Sequence, residues 1–187
     1  MAKQLLVYVF VAGILCTALN PLSANDQTTT PSLSELRTSA DAGDLAAQLQ
    51  LADRYYKGDN APQDFQQAAH WYQQLAEQGF SQAQLTLGLM YIRGEGVAQD
   101  NAAAVHWLSK AAEQKTAAAQ YLLGLAYQHG HGVPVNLTQA YMWLEISSAM
   151  DYPHTREALE ALASQLSSEE IANAEKMAAD WWMQHHH

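Results

Sequence analysis

The chain has 187 residues and a formal charge of −10, from 9 Lys and Arg against 19 Asp and Glu, and nearly half of its residues are hydrophobic. That length carries one domain with a full core, and that composition excludes a disordered chain. No Lys/Arg cluster interrupts the acidic balance, which argues against a nucleic-acid surface and against an electrostatic grip on anionic lipid.

The first 24 residues read as a signal peptide. Lys3 supplies a positive start, Leu5 to Leu19 is an apolar run, and Pro21, Leu22, Ser23 and Ala24 form a cleavage site ending on a small residue. The run is short of the roughly 20 residues that a spanning helix needs, so an uncleaved membrane anchor is the lesser reading. Lipidation at Cys16 is disfavoured because Gly13, Ile14 and Leu15 lack the small residue normally found just ahead of such a cysteine. Cleavage after Ala24 removes Lys3 and Cys16, taking the charge to −11 and leaving no thiol. A periplasmic or secreted protein without cysteine relies on packing and not on disulfides, and has no thiolate chemistry. Residues 25–33 are polar and Thr-rich, a flexible lead-in. Residues 34–43 form a leading half-repeat, a lone helix, because Ala40 and Gly43 align with Ala76 and Gly79 of the first full repeat.

From there the chain repeats itself with a period of 36 residues, giving repeats over 44–80, 81–116 and 117–152. Ala47/Ala83/Ala119, Gln48/Gln84/Gln120, Leu51/Leu87/Leu123 and Tyr55/Tyr91/Tyr127 fall in register. So do Gly58/Gly94/Gly130, Ala68/Ala104/Ala140 and Trp71/Trp107/Trp143. Each copy reads as two helices. Helix A of the first runs from about Ala46 to Lys57, with Ala47, Leu51 and Tyr55 on one face and Gly58 as its left-handed C-terminal residue. Helix B opens at Asp64, where Gln67 three residues on suggests a capping box, repeated by Asn136 and Gln139. The small residues Ala52, Gly88 and Gly124 mark a close helix crossing. The Tyr and Trp positions are expected to be core, at a cost of roughly 3–5 kcal/mol for Trp107→Ala. Residues 153–184 form a degenerate helix pair covering the C-terminal end: Arg156 to Leu166, then a helix capped by Ser167 and Glu170 that runs through Trp181.

The motif AQ-x-x-L-G-x-x-Y-x-x-G-x-G-V at Ala83 to Val97 and Ala119 to Val133, followed by D/N-x-x-x-A-x-x-W, resembles the Sel-one-like repeat (SLR) family, tetratricopeptide-related helical repeats. The resemblance covers about residues 34 to 150. It implies an all-α solenoid, a right-handed superhelix with helices A on its concave side, and an adaptor or scaffold role, in many relatives within bacterial envelopes. A cysteine-rich branch linked to penicillin binding does not carry over, since its paired cysteines are absent. The first copy has Asp59-Asn60-Ala61 where the second has Glu95-Gly96-Val97, so that loop is expected to differ in shape.

Candidate chemistry is sparse. His129 and His131 form an H-x-H pair able to bind zinc or copper, but a catalytic zinc wants three protein ligands, and two exposed loop histidines is the better reading. His70 and His106 share one repeat position; His185 to His187 end the chain and are not counted as a site. Glu169 and Glu170 begin a helix, where negative charge is favourable. No catalytic, metal or cofactor set is expected, and no hydrolase, phosphate-loop or zinc-protease motif is present. Partner binding is assigned to the helix-A stripe Gln50, Arg54, Lys57, Thr86, Met90, Arg93, Leu122, Ala126 and His129, which varies between copies. It holds three of the eight Lys and Arg that remain after Lys3, so an acidic or apolar protein segment would suit it. The expected function is an exported, non-catalytic adaptor for a protein partner in the cell envelope. The alternative is a glycan or peptidoglycan binder that stacks sugars on Trp181 or Trp182, and an envelope hydrolase ranks behind both.

Overall fold

The computed structural model describes residues 30–185; the predicted signal peptide, most of the lead-in, and His186 and His187 lie outside the described residues. Within them the chain is helical, with no strand. Helix α1 (Leu33–Asp41) is followed by the pairs α2 (Leu45–Lys57) with α3 (Phe65–Glu77), α4 (Ser81–Arg93) with α5 (Asn101–Glu113), and α6 (Ala117–His129) with α7 (Leu137–Ser148). Helices α8 (Thr155–Ala163) and α9 (Ser168–His185) close the chain. None of these helices is long and apolar enough to cross a membrane.

Local signals set the helix ends. Asp44, Asp64, Asp100 and Asn136 cap α2, α3, α5 and α7 through side-chain oxygens that accept from free N–H groups of the first turn. The expected capping boxes at Asp64/Gln67 and Asn136/Gln139 are only half formed. The backbone N–H that the glutamine would take is already donated across the repeat, from Asp64 to the Tyr55 carbonyl and from Asn136 to the Tyr127 carbonyl, each at 2.9 Å. The box at Ser167/Glu170 is complete, as is one at Ser32/Glu35 that starts α1. Helix α1 thus begins one residue before the expected half-repeat.

From α1 to α8 each helix packs mainly on its neighbours in sequence, as a solenoid requires. The α4/α5 and α6/α7 crossings are close: a Cβ on Gly88 would lie 2.9 Å from Leu108 Cγ, and one on Gly124 2.6 Å from Leu144 Cγ. A buried glutamine ladder ties the copies together. Nε2 of Gln48, Gln84 and Gln120 donates backwards to the carbonyls of Ala40, Ala76 and Ala112, at 3.0 to 3.1 Å. Gln78 and Gln114 in turn donate to Oε1 of Gln48 and Gln84, but Met150 stands at the next equivalent position and Gln120 Oε1 is left without a partner.

Two expectations are corrected here. The first-copy loop keeps the shape of the others: Asn60 adopts φ 56°, beside 71° at Gly96 and 77° at Gly132, and Gln63 and Gln99 make the same 2.8 Å bond back to the carbonyls of Tyr56 and Ile92. Asparagine tolerates the left-handed region, so the fold survives the exchange. The aromatic positions are also not equally deep. Tyr55 and Trp71 are buried, whereas Tyr91, Tyr127, Trp107 and Trp143 are half-buried. Lys110 Nζ sits 5.0 Å from the Trp107 ring centre, at the surface.

The last two helices do not pair as A and B do. Both lie on α7: α8 through Leu159 and Leu162 against Leu144, and α9 through Ala174, Ala178 and Trp181 against Met142 and Ile146.

Candidate functional site

A helix A inside a solenoid is covered by its own helix B and by the preceding repeat, which leaves a narrow strip for solvent or a ligand. The nine residues assigned from the sequence straddle the boundary of that strip. Gln50, Lys57, Arg93 and His129 are exposed, and Thr86 and Leu122 are half-buried. The middle row of the stripe is a correction: Arg54, Met90 and Ala126 are buried. Met90 joins the core of the first repeat, and Arg54 Nη1 donates to the Pro31 carbonyl at 2.7 Å. The row faces the preceding repeat, where helix packing and not solvent decides its contacts.

A second, largely half-buried strip runs one residue earlier in each turn, about 100° round the helix. Between α2 and α4 it comprises Leu49, Asp53, Tyr56 and Lys57, with Tyr72, Gln82 and Thr86 forming the opposite wall of a hollow of about 330 Å³. The floor is a polar network. Tyr72 Oη donates to Asp53 Oδ1 at 2.6 Å, and Lys57 Nζ approaches Asp53 Oδ2 at 3.4 Å. Tyr56 Oη donates to Glu95 Oε2 at 3.0 Å and accepts from Arg93 Nη1 at 3.1 Å. Burial, then the hydrogen bond to Asp53, pushes the Tyr72 hydroxyl well above its usual range; burial and Glu95 also raise that of Tyr56. Both phenols therefore remain protonated donors. Every basic side chain counted in the sequence stripe is engaged by a neighbour, so the strip is not a bare cationic surface.

The next joint, between the second and third copies, is apolar. Ile92, Val105 and Leu108 face Leu122, Leu125 and Ala126 around a partly open pocket of about 170 Å³. Asn101 and His131 stand at its exposed edge. The His129 and His131 rings lie 5.6 Å apart, and no group of three His, Cys, Asp or Glu able to hold a metal converges among the described residues. Sequence reasoning missed both hollows. The available signal was that residues 56, 92 and 128 (Tyr, Ile, Gln) vary as freely as the stripe that was chosen.

At the C-terminus, Trp181 is buried. It meets Trp143 edge-on at 6.0 Å and stacks on His185 at 4.2 Å, so its faces are not free for a sugar. Trp182 is half-buried beside it at 5.1 Å.

Residues 45–80, 81–115 and 117–152 each match the Sel1 repeat family. Among solved structures, the chain is similar to a protective antigen present in uropathogenic Escherichia coli strains that displays an SLR fold. That similarity has a TM-score of 0.73 and 30% identity, and covers 82% of this chain and 33% of the other, so the chain spans about a third of that protein's length. It is also similar to a Sel1 repeat protein from Oxalobacter formigenes, with a TM-score of 0.62 and 36% identity over 69% of this chain and 97% of the other. No curated protein matches the sequence.

Proposed function

This chain belongs to the Sel1 repeat family, and from that premise we propose that it is an exported, non-catalytic adaptor that holds a protein partner along its helix-A strip in the cell envelope. Sel1-repeat proteins generally mediate protein–protein interactions, and the family is typically a non-catalytic scaffold. The observation that carries the reading is the strip itself. It pairs a polar hollow of phenols and compensated charges at the first joint with an apolar pocket at the second, on a framework whose buried ladder and glycines repeat while the strip residues do not. Variable side chains on a constant scaffold are what specificity for one partner needs. Export rests on the Lys3 to Ala24 leader pattern.

Two measurements test the proposal. A photo-crosslinking residue at Gln82, on the strip, should yield a discrete protein adduct in living cells, and one at the exposed Gln74 of α3 should not. Equal labelling at both positions, or none with the protein folded, removes the adaptor reading. Fractionation should find a chain beginning at Asn25 outside the inner membrane; retention of the full-length chain in the cytoplasm removes export and leaves the adaptor question intact.

A further inference from the structure

We infer that the apolar pocket between the second and third repeats is a receptor for a single phenyl ring, supplied by a phenylalanine side chain of the partner segment. The repeats themselves provide the comparison. Shifted back by one repeat, the pocket positions 92, 101, 108 and 126 become Tyr56, Phe65, Tyr72 and Met90. In the first joint those side chains pack on one another beside the polar hollow: the Tyr56 ring meets Phe65 edge-on at 5.4 Å and Tyr72 at 6.1 Å, and Met90 is fully buried. In the second joint the same positions hold Ile92, Asn101, Leu108 and Ala126, all smaller. The exchanges of Ala69 for Val105 and of Thr86 for Leu122 return only part of the lost volume. In the third joint Leu137, Tyr141 and Leu162 stand at the positions of Asn101, Val105 and Ala126, so bulk returns there too.

The backbone that frames these joints is held constant. The loop over each one packs a glycine against the start of the helix B behind it, at Gly96 on Phe65 and Gly132 on Asn101, so the walls cannot close in on missing side chains. What remains is about 170 Å³, lined by aliphatic carbon. An apolar cavity of about 150 Å³ stays dry and accepts benzene, so one ring is the matching size. Exchange of Tyr56 for Ile92 and of Glu95 for His131 also removes the Tyr–Glu hydrogen bond that crosses the first joint, leaving the mouth open to an entering side chain.

This inference rests on the helix-A strip being the partner surface, but its test uses the purified full chain and needs no cellular partner. N-acetyl-L-phenylalaninamide is titrated while the methyl resonances of Ile92, Val105, Leu122 and Leu125 are followed by NMR, with N-acetyl-L-leucinamide as the comparison. Saturable shifts confined to those methyls, at least threefold tighter for the aromatic amide, are expected. The double variant Asn101→Phe with Ala126→Met rebuilds the first joint's filling and should weaken binding at least tenfold while its melting temperature stays level or rises. Three results would overturn the inference: equal binding of the leucine amide, shifts scattered over the surface, or a filled variant that melts several degrees lower. Failure here with a specific adduct at Gln82 would leave the adaptor standing without its anchor; ring binding with no adduct would leave a pocket without an adaptor.

Discussion

The orphaned Oε1 of Gln120 shows how one substitution registers in a repeated framework. Its counterparts on Gln48 and Gln84 accept from Gln78 and Gln114, and Met150 offers nothing in return. Met150→Gln should complete the third rung and add about 1 kcal/mol of stability by denaturant titration; no gain would mean that water already satisfies the oxygen. The loop glycines provide a sharper contrast. Gly79 has φ +90° and open space where a Cβ would stand, whereas a Cβ on Gly132 would lie 2.2 Å from the Asn101 carbonyl oxygen at a similar φ of +77°. Gly79→Ala should therefore cost about 1–2 kcal/mol from backbone preference alone. Gly132→Ala should cost about 3–5 kcal/mol, because a backbone segment must also move. Equal losses would show that the loop does not rest on α5. Of the candidate residues, Arg54, Met90 and Ala126 are buried where the sequence placed an open face. Helical spacing locates a side chain around its own axis, but whether the neighbouring repeat covers it depends on how the repeats stack, which no spacing encodes.

At the level of the helix, the start at Asp64 was legible because it is local: its side chain acts through N–H groups two and three residues away, as Asp44 and Asp100 also do in the structure. The capping boxes were over-read at Asp64 and Asn136, where a tyrosine carbonyl from the other helix competes for the same donor. Helix α7 carries a testable electrostatic strain. Burial first, and then the nearby Glu175, raises the Glu145 carboxyl above its usual value of 4.5. A raised carboxyl binds its proton more tightly in the folded state, so its contribution to stability is present at low pH and declines as pH rises through the folded value. Glu145→Gln should raise the melting temperature at pH 7, and the advantage should vanish below about pH 4. A constant difference at every pH would assign the effect to packing.

For the whole molecule, the solenoid is legible in the 36-residue register, since each copy must bury the same face against the same neighbour. The closing arrangement was less legible, because α9 matches no repeat template and lies on α7. It covers Met142 and Ile146, so a chain ending at Leu166 should melt about 10 °C lower and bind a hydrophobic dye. An unchanged melting curve would show that α9 is dispensable as a cover.

The glutamine ladder also has a direction. Every amide in it reaches towards the N-terminus, to a carbonyl at the end of a helix already synthesised. A chain that emerges N-terminus first therefore offers each new repeat a finished acceptor, and no amide donor of the ladder has to wait for sequence still to come. Assembly can proceed vectorially, one helix pair at a time, with the solenoid acting as its own template.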